Sequence, residues 1–163
     1  MNRIGLLLVA AVCSACGAPS QPSATSGSHE PDFSAETGSG HLLTMDGAPD
    51  GGGRNLAPRP METVLAGTGA CAAYDVVLIL KRGRHDVRSC RVRVTSERAA
   101  EDPKVFTKIH LHFIVGGVGV PWAAIERAIA LSHDRYCSAT IMLGKTAAIT
   151  TSHELVDAGK AQT

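Results

Sequence analysis

A long apolar run extends from Thr63 to Leu80 and carries a single charge, Asp75. Pro60 stands where the first turn of a helix tolerates proline, and Gly83 stands where a C-terminal cap favours glycine. The pattern predicts a helix of about six turns, about 33 Å long. Because the run is apolar all round, we expect a central helix buried on nearly every side. A transmembrane span is the alternative, which Asp75, two threonines and two glycines within the run disfavour.

Alternating polar and apolar positions predict strands on both sides of this helix. The segment from Phe33 to Gly47 reads as two short strands around a turn at Thr37–Gly40. After the helix, the segments 85–97 and 104–115 alternate in the manner of two half-buried strands, and we expect them to form a hairpin. Their inward positions are Cys90, Val92, Val94, Val105, Thr107, Ile109, Leu111 and Phe113.

The C-terminal third predicts two helices and a closing strand. Pro121 begins a helix that extends to about Asp134, Cys137 lies at or near the start of a short helix, and the segment 145–156 forms the strand. The order of elements predicts an α+β fold in which the long helix packs against an antiparallel sheet. So few strands cannot cover so apolar a helix, and a homodimer that buries two such helices together is the expected solution.

The segment from Asp46 to Asn55 contains four glycines and no apolar anchor. It is either a mobile lid or a long surface connection, and its length and composition favour the surface connection.

The N-terminal 32 residues have a different composition from the rest. Residues 1–16 combine Arg3, an apolar stretch and small residues before Cys16, which is the layout of an export signal with a lipidation site at Cys16. Residues 17–32 are rich in Ser, Pro, Ala and Thr and predict a flexible linker, so that the folded domain occupies residues 33–163. The alternative is a misplaced translation start, with the mature protein beginning downstream.

Composition excludes several classes of function. The 163 residues carry a net charge of +1, which disfavours a nucleic-acid-binding surface. Three of the five cysteines, Cys71, Cys90 and Cys137, lie in the folded part, too far apart in sequence for a disulfide scaffold or a zinc-finger framework. His110 and His112 share a strand face but have no further ligand at a suitable spacing. We therefore predict no metal site.

The cysteines are either reactive thiols or ordinary buried ones. A thiol reacts as the thiolate, which a helix N-terminus or a nearby cation favours, and Cys137 beside Arg135 has that setting. Cys71 lies inside its helix, where the dipole gives little help. If the fold brings Cys71 and Cys137 together, the pair supports a cycle of sulfenic acid, disulfide and re-reduction.

Several blocks of sequence resemble one family. The runs SGHLLTMDG, PMETVLAGTGACAAYDVVLILKRGR, VTSER, FTKIHLHFIVGG and LSHDRYCSATIML resemble the OsmC/Ohr family, in particular the YhfA-like branch of small OsmC proteins. The resemblance implies an α+β homodimer whose cysteine-bearing helices pack centrally. It also implies a thiol peroxidase that reduces organic hydroperoxides, with Cys71 as the peroxidatic and Cys137 as the resolving cysteine. It further implies that no cofactor is bound and that an external dithiol, lipoyl or similar, restores the thiols.

Two departures from the family pattern concern the residues around the peroxidatic cysteine. Met61 stands where the family has a glutamate after the helix-opening proline, and Glu62 follows one residue later. The family arginine of the first hairpin has no match, and Arg54 or His41 are the candidate substitutes. Without a neighbouring cation, the thiolate fraction of a cysteine at pH 7 is only about a few per cent.

Three functional hypotheses remain open from the sequence. The first is the organic hydroperoxide reductase, and the second is a non-catalytic OsmC-like protein that holds an apolar ligand at the dimer interface. The third is an envelope-anchored thiol protein, prompted by the leader. The leader predicts a cell-envelope lipoprotein, whereas the family resemblance implies a cytoplasmic protein. No membrane span is expected beyond the leader.

Overall fold

The computed structural model describes residues 23–26 and 33–157 of the chain. The chain divides into two compact units, residues 1–59 and residues 60–163. This division falls within the predicted domain of residues 33–163, and the predicted domain boundaries stay predictions. The predicted leader and its candidate lipidation site, Cys16, lie outside the described residues.

The N-terminal unit contains a three-stranded antiparallel sheet in the order β1-β2-β3. The strands are β1 (Ser23–Ser26), β2 (Phe33–Glu36) and β3 (Leu42–Met45). Two short strands around a turn at Thr37–Gly40 are confirmed, and Gly40 adopts a φ of +80° in that turn. The strand β1 lies in the segment that was predicted to be a flexible linker. The sequence did not predict this strand, because the alternation in so short a polar segment gives no strand signal.

The loop after β3 is organised by one buried carboxylate. Asp46 is fully buried and accepts backbone N–H hydrogen bonds from Gly47 (2.7 Å), Arg54 (3.2 Å) and Leu56 (2.8 Å). The hydrogen bond from Leu56, followed by those from Gly47 and Arg54, lowers the pKa of Asp46 against the opposing effect of burial. A Cβ at Gly53 would overlap the backbone of Gly47, so the loop closes on itself only with glycine there. The loop has no apolar anchor, and the buried carboxylate of Asp46 holds it instead.

The predicted central helix is confirmed as α1 (Pro60–Arg82), but it is not buried on nearly every side. Its buried face consists of Thr68, Gly69, Ala72, Val76 and Leu80. On the opposite face, Val64 is 41% exposed and Tyr74 is 66% exposed, because the strands of one chain cover a single side of the helix. Among the described residues, α1 is the one helix long and apolar enough to cross a membrane, a test that core helices also pass.

The C-terminal end of α1 differs from the predicted glycine cap. The N–H of His85 donates to the carbonyl of Leu80, and the N–H of Arg84 donates to that of Lys81, the two hydrogen bonds of a Schellman motif. The left-handed residue of the motif is Arg84, with a φ of +60°, and not Gly83. The glycine stands one position too early to relieve this conformation.

The C-terminal unit contains a second three-stranded sheet in the order β4-β5-β6. The predicted hairpin is confirmed by β4 (Asp86–Arg98) and β5 (Phe106–Val118), which pair antiparallel. The final strand, β6 (Ala148–Asp157), pairs parallel to β5, so the predicted antiparallel sheet is in fact mixed. The intervening helices carry the chain back along the sheet, which is the crossover that parallel strands require.

Two helices and a π-helical turn link β5 to β6. They are α2 (Trp122–Leu131), the turn Ser132–Tyr136 and α3 (Ser138–Leu143). Pro121 caps α2 from outside rather than beginning it, with a ψ of 137°. The core lies between α1, α2 and the inner face of the sheet, and it includes Ala72, Val76, Leu80, Ile109, Leu111, Phe113, Val115, Ile125, Ala128 and Ile129.

The inner face of β5 follows the predicted alternation except at its start. Val105 and Thr107, predicted to point inward, are both exposed. Phe106 is buried in their place, beside an irregularity in the β4–β5 pairing between Glu97 and Arg98 that shifts the register.

Candidate functional site

Two cysteines that are far apart in sequence meet between α1 and α3. The sulfurs of Cys71 and Cys137 and a carboxylate oxygen of Asp75 all lie within 4.8 Å of one another. All three residues belong to the C-terminal unit, and both cysteines are free thiols. Cys71 is half-buried, whereas Cys137 is fully buried. The structure therefore brings together the two cysteines that the sequence selected.

The position of Cys137 follows from the π-helical turn that precedes it. The N–H of Cys137 donates to the carbonyl of Ser132 at 2.8 Å, which closes the turn and leaves Cys137 at the N-cap of α3. The Ser132 hydroxyl in turn donates to the backbone carbonyl of Ala72 at 3.4 Å and to Asp75 Oδ2 at 3.5 Å. These contacts fix the turn against α1, and π-helical turns of this kind are frequent at functional sites.

The surroundings of Cys71 hold its pKa above the ordinary value of a thiol. Burial is the largest cause, and the hydrogen bond with Cys137 and the charges of Cys137 and Asp75 act in the same direction. One contact opposes them: the backbone N–H of Ala139, in the first turn of α3, hydrogen-bonds to the sulfur and lowers the pKa. The sequence predicted that the start of α3 would favour the thiolate of Cys137. In the structure, an N–H group at the start of α3 also lowers the pKa of Cys71.

Asp75 is the site residue that sequence reasoning did not select. It lies four residues after Cys71 on α1, and residues at this spacing share one face of a helix. The available signal was a single charge in an otherwise apolar helix, a feature that also disfavours a membrane span. Its carboxylate instead lies beside both sulfurs, where it repels a thiolate and attracts a cation.

The accessory residues predicted from the resemblance belong to different parts of the chain. Glu62 is exposed in the first turn of α1, while Met61, at the position of the family glutamate, packs against the core. Arg54 and His41 belong to the N-terminal unit, and His41 Nδ1 lies 3.1 Å from the Ser39 hydroxyl. Their participation in the chemistry of Cys71 stays a prediction.

The other titratable residues noted in the sequence lie on strands of the second sheet. Cys90 is half-buried on β4, where burial raises the pKa of its thiol to about 11. On the sheet face that points away from the helices, the Ser152 hydroxyl lies 2.7 Å from His110 Nε2 and 2.8 Å from His112 Nδ1. The Ser152 hydroxyl on the neighbouring strand thus contacts one ring nitrogen of each imidazole.

A pocket of about 250 Å³ adjoins Asp75. It is lined by Asp75, Leu78, Ile79, Arg82, Leu131 and Tyr136. A larger pocket of about 550 Å³ lies between α1 and α2, but none of its lining residues is a cysteine or Asp75. Of these two pockets, the smaller one therefore includes a residue of the cluster, Asp75.

Comparisons with known proteins identify relatives of this chain. The family model for the OsmC-like protein matches residues 51–152. Protein YhfA of Escherichia coli K12 is 50% identical over 126 residues, which are 77% of this chain and 91% of that protein. A structural genomics structure has a TM-score of 0.75 at 44% identity, covering 85% of this chain and 100% of the other.

A more distant structure shares the fold. The organic hydroperoxide resistance protein OsmC from Legionella pneumophila has a TM-score of 0.63 at 18% identity, covering 85% of this chain and 99% of the other. Together, the matching family model and the YhfA relatives account for most of the chain. The chain therefore belongs to the OsmC family.

Proposed function

We propose that the protein is a thiol peroxidase that reduces organic hydroperoxides, with Cys71 as the peroxidatic cysteine and Cys137 as the resolving cysteine. The observation that carries the proposal is the approach of the two sulfurs, which lie within 4.8 Å although 66 residues separate them. A disulfide would bring the two sulfurs from this separation to about 2.05 Å. The names of structural neighbours, including hydroperoxide resistance proteins from Legionella pneumophila and Elizabethkingia anophelis, point to the same substrate class.

The reaction divides into three balanced steps. The Cys71 thiolate attacks one oxygen of the hydroperoxide, the O–O bond breaks, and the second oxygen leaves as the alcohol after it takes a proton. The Cys137 thiol then loses its proton and attacks the sulfur of the Cys71 sulfenic acid, water leaves, and a disulfide forms. An external dithiol, lipoyl or similar, supplies two electrons and two protons, regenerates both thiols and becomes a disulfide itself.

Each cysteine lies in a setting that suits its role. Cys71 is the half-buried member of the pair, so a peroxide reaches it more readily than it reaches the fully buried Cys137. The Ala139 N–H stabilises negative charge on the Cys71 sulfur. Leu78, Ile79 and Leu131 line the pocket beside Asp75, and this apolar wall favours an organic peroxide over hydrogen peroxide.

We also infer that two chains associate through the exposed face of α1. Val64, Ala66, Gly67, Ala70 and Tyr74 form this face and are all exposed in the single chain. Its small residues permit close approach of a second helix, and a two-fold contact would set the same apolar face of the second copy against it. Sedimentation equilibrium should give a dimer for the wild type and a monomer for Tyr74→Glu. Val156→Glu places the same charge at an exposed position on β6 and should stay dimeric.

Cysteine variants test the peroxidase directly. With cumene hydroperoxide and dihydrolipoamide, we expect turnover by the wild type and by Cys90→Ser, and none by Cys71→Ser. Cys137→Ser should reduce about one equivalent per chain and leave Cys71 as a sulfenic acid that dimedone labels. If Cys71→Ser and Cys137→Ser both consume the peroxide as fast as the wild type, the proposal is wrong.

The raised pKa of Cys71 favours a second candidate function, that of a non-catalytic protein that binds an apolar ligand. This function requires Cys71 to be unreactive towards iodoacetamide at pH 7. It also requires an apolar ligand to purify with the protein, which mass spectrometry under native conditions would detect. Turnover that depends on Cys71 excludes it.

A further inference from the structure

We propose that Cys71, Asp75 and Cys137 form a binding site for a thiophilic divalent cation such as Zn²⁺. Among the described residues, these three side chains are the one group of at least three Cys, His, Asp or Glu ligand atoms placed for a shared ion. Two sulfurs and one carboxylate oxygen form a ligand set that suits Zn²⁺, with a fourth position open to water.

The distances suit a tetrahedral ion after a small adjustment. With Zn–S bonds of about 2.3 Å, two sulfurs on a tetrahedral ion lie about 3.8 Å apart. The three ligand atoms already lie within 4.8 Å of one another, so the two sulfurs need to approach by no more than about 1 Å. Two of the ligands come from one face of α1 and the third from the N-cap of α3.

A second layer of contacts supports the ligands. The Ser132 hydroxyl lies within 3.5 Å of Asp75 Oδ2, and the Ala139 N–H hydrogen-bonds to the Cys71 sulfur. Contacts of this type orient the ligands of metal sites and stabilise their negative charge. Three ligand atoms that carry negative charge when they bind repel one another in a partly buried site. A divalent cation converts this repulsion into attraction.

Cation binding and disulfide formation exclude each other, because both use the same two sulfurs. When the ion binds, the two thiols release their protons and become its ligands. When a two-electron oxidant joins the sulfurs, the disulfide can no longer hold the ion, and the ion leaves. The oxidant in the test is diamide, which accepts two electrons and two protons to become a hydrazine. The result is then independent of the proposed peroxidase activity.

Cobalt titration of the reduced full-length chain tests the site. After reduction and desalting without oxygen, Co²⁺ should give one equivalent of a thiolate-to-cobalt charge-transfer band per chain, which Zn²⁺ displaces. Cys71→Ser and Cys137→Ser should each remove most of this band, and Asp75→Asn should weaken Zn²⁺ binding by about tenfold or more. Cys90→Ser should leave the titration unchanged. Diamide should release the bound ion in the wild type.

Three outcomes overturn the proposal. They are the absence of a thiolate band, a band that survives in the Cys71→Ser, Cys137→Ser double variant, and unchanged Zn²⁺ affinity in Asp75→Asn. Binding without a thiolate band counts against it as well, because surface histidines alone would explain such binding. If a variant does not fold, wild-type protein gives the same answer: Zn²⁺ should protect the half-buried Cys71, but not Cys90, from alkylation with N-ethylmaleimide mapped by mass spectrometry.

Discussion

The sulfur of Cys71 and a carboxylate oxygen of Asp75 lie within 4.8 Å of each other on one face of α1. A thiol peroxidase gains from any neighbour that stabilises the thiolate, and a carboxylate does the reverse. The same carboxylate completes a set of ligands for a cation. Asp75 therefore disfavours the thiolate that the peroxidase needs but favours the binding of a cation. Substitution of Asp75 should distinguish the two proposals.

The first prediction concerns the charge of Asp75 when no metal is present. Burial, Cys137 and then the charge of Asp75 raise the pKa of Cys71, so Asp75→Asn should lower this pKa and enlarge the thiolate fraction at pH 7. One partly screened charge is worth about 1 kcal/mol or less, which limits the expected gain in the rate of Cys71 oxidation to about two- to fivefold. Stopped-flow oxidation with cumene hydroperoxide in the presence of EDTA measures it.

Asp75→Glu is the matched control, because it keeps the charge and should change this rate less than Asp75→Asn. A slower reaction of Asp75→Asn would contradict the prediction and would show that the carboxylate assists the thiol, for example as a base.

The second prediction is the pH dependence of alkylation. Because the pKa of Cys71 is raised, its reaction with iodoacetamide should accelerate by about tenfold per pH unit from pH 7 up to the raised pKa. The reaction of Cys90, with a pKa of about 11, should stay dependent on pH up to about pH 11. Mass spectrometry of quenched samples follows the two sites separately. A rate for Cys71 that is already independent of pH at pH 7 would mean that its thiolate is formed there.

The sequence predicted the parts of this site that depend on local pattern. The apolar run between Pro60 and Gly83 predicted a helix with Cys71 in its middle. The short helix that begins near Cys137 was also predicted. The pairing of the two cysteines came from the family resemblance, because residues 66 positions apart carry no local signal of contact. The N–H of Ala139 on the Cys71 sulfur depends on how α3 docks against α1, which no sequence window contains.

The strand direction in the second sheet shows a similar limit. Alternation located β6, but period-two patterns are the same for parallel and antiparallel pairing. The direction is set by α2, the π-helical turn and α3, which return the chain to the starting end of β5. Burial of α1 was overestimated for a related reason: composition reports how apolar a helix is and not how many sides its own chain covers.

The third prediction concerns the left-handed residue at the end of α1. Arg84 has a φ of +60°, a conformation that costs an L-residue about 1 kcal/mol and costs glycine almost nothing. Arg84→Gly should therefore stabilise the protein by about 0.5–1 kcal/mol, measured by urea unfolding. Arg82→Gly, two residues earlier within the helix, should destabilise it by about 1 kcal/mol. Equal effects of the two substitutions would contradict the role of Arg84 in the cap.

The fourth prediction concerns the loop that Asp46 holds. Its carboxylate accepts three backbone N–H groups with two oxygens, and an asparagine side chain offers one acceptor oxygen only, so Asp46→Asn should open the loop. Trypsin should then cleave after Arg54 several times faster. Asp50→Asn removes the same charge from an exposed position in the same loop and should not change the cleavage rate.

Acid should act on this loop in the same direction as Asp46→Asn. The hydrogen bonds, first that from Leu56, lower the pKa of Asp46 in the folded state. Their contribution to stability is thus fully present above the unfolded pKa of about 3.9 and is lost as the pH falls through the lower folded pKa. Hydrogen exchange at the amides of Arg54 and Leu56, corrected for the intrinsic pH dependence, should lose protection below about pH 4 in the wild type. In Asp46→Asn the protection should be low throughout, because no carboxylate remains to titrate. Protection that stays constant in the wild type down to pH 2 would mean that other contacts hold the loop.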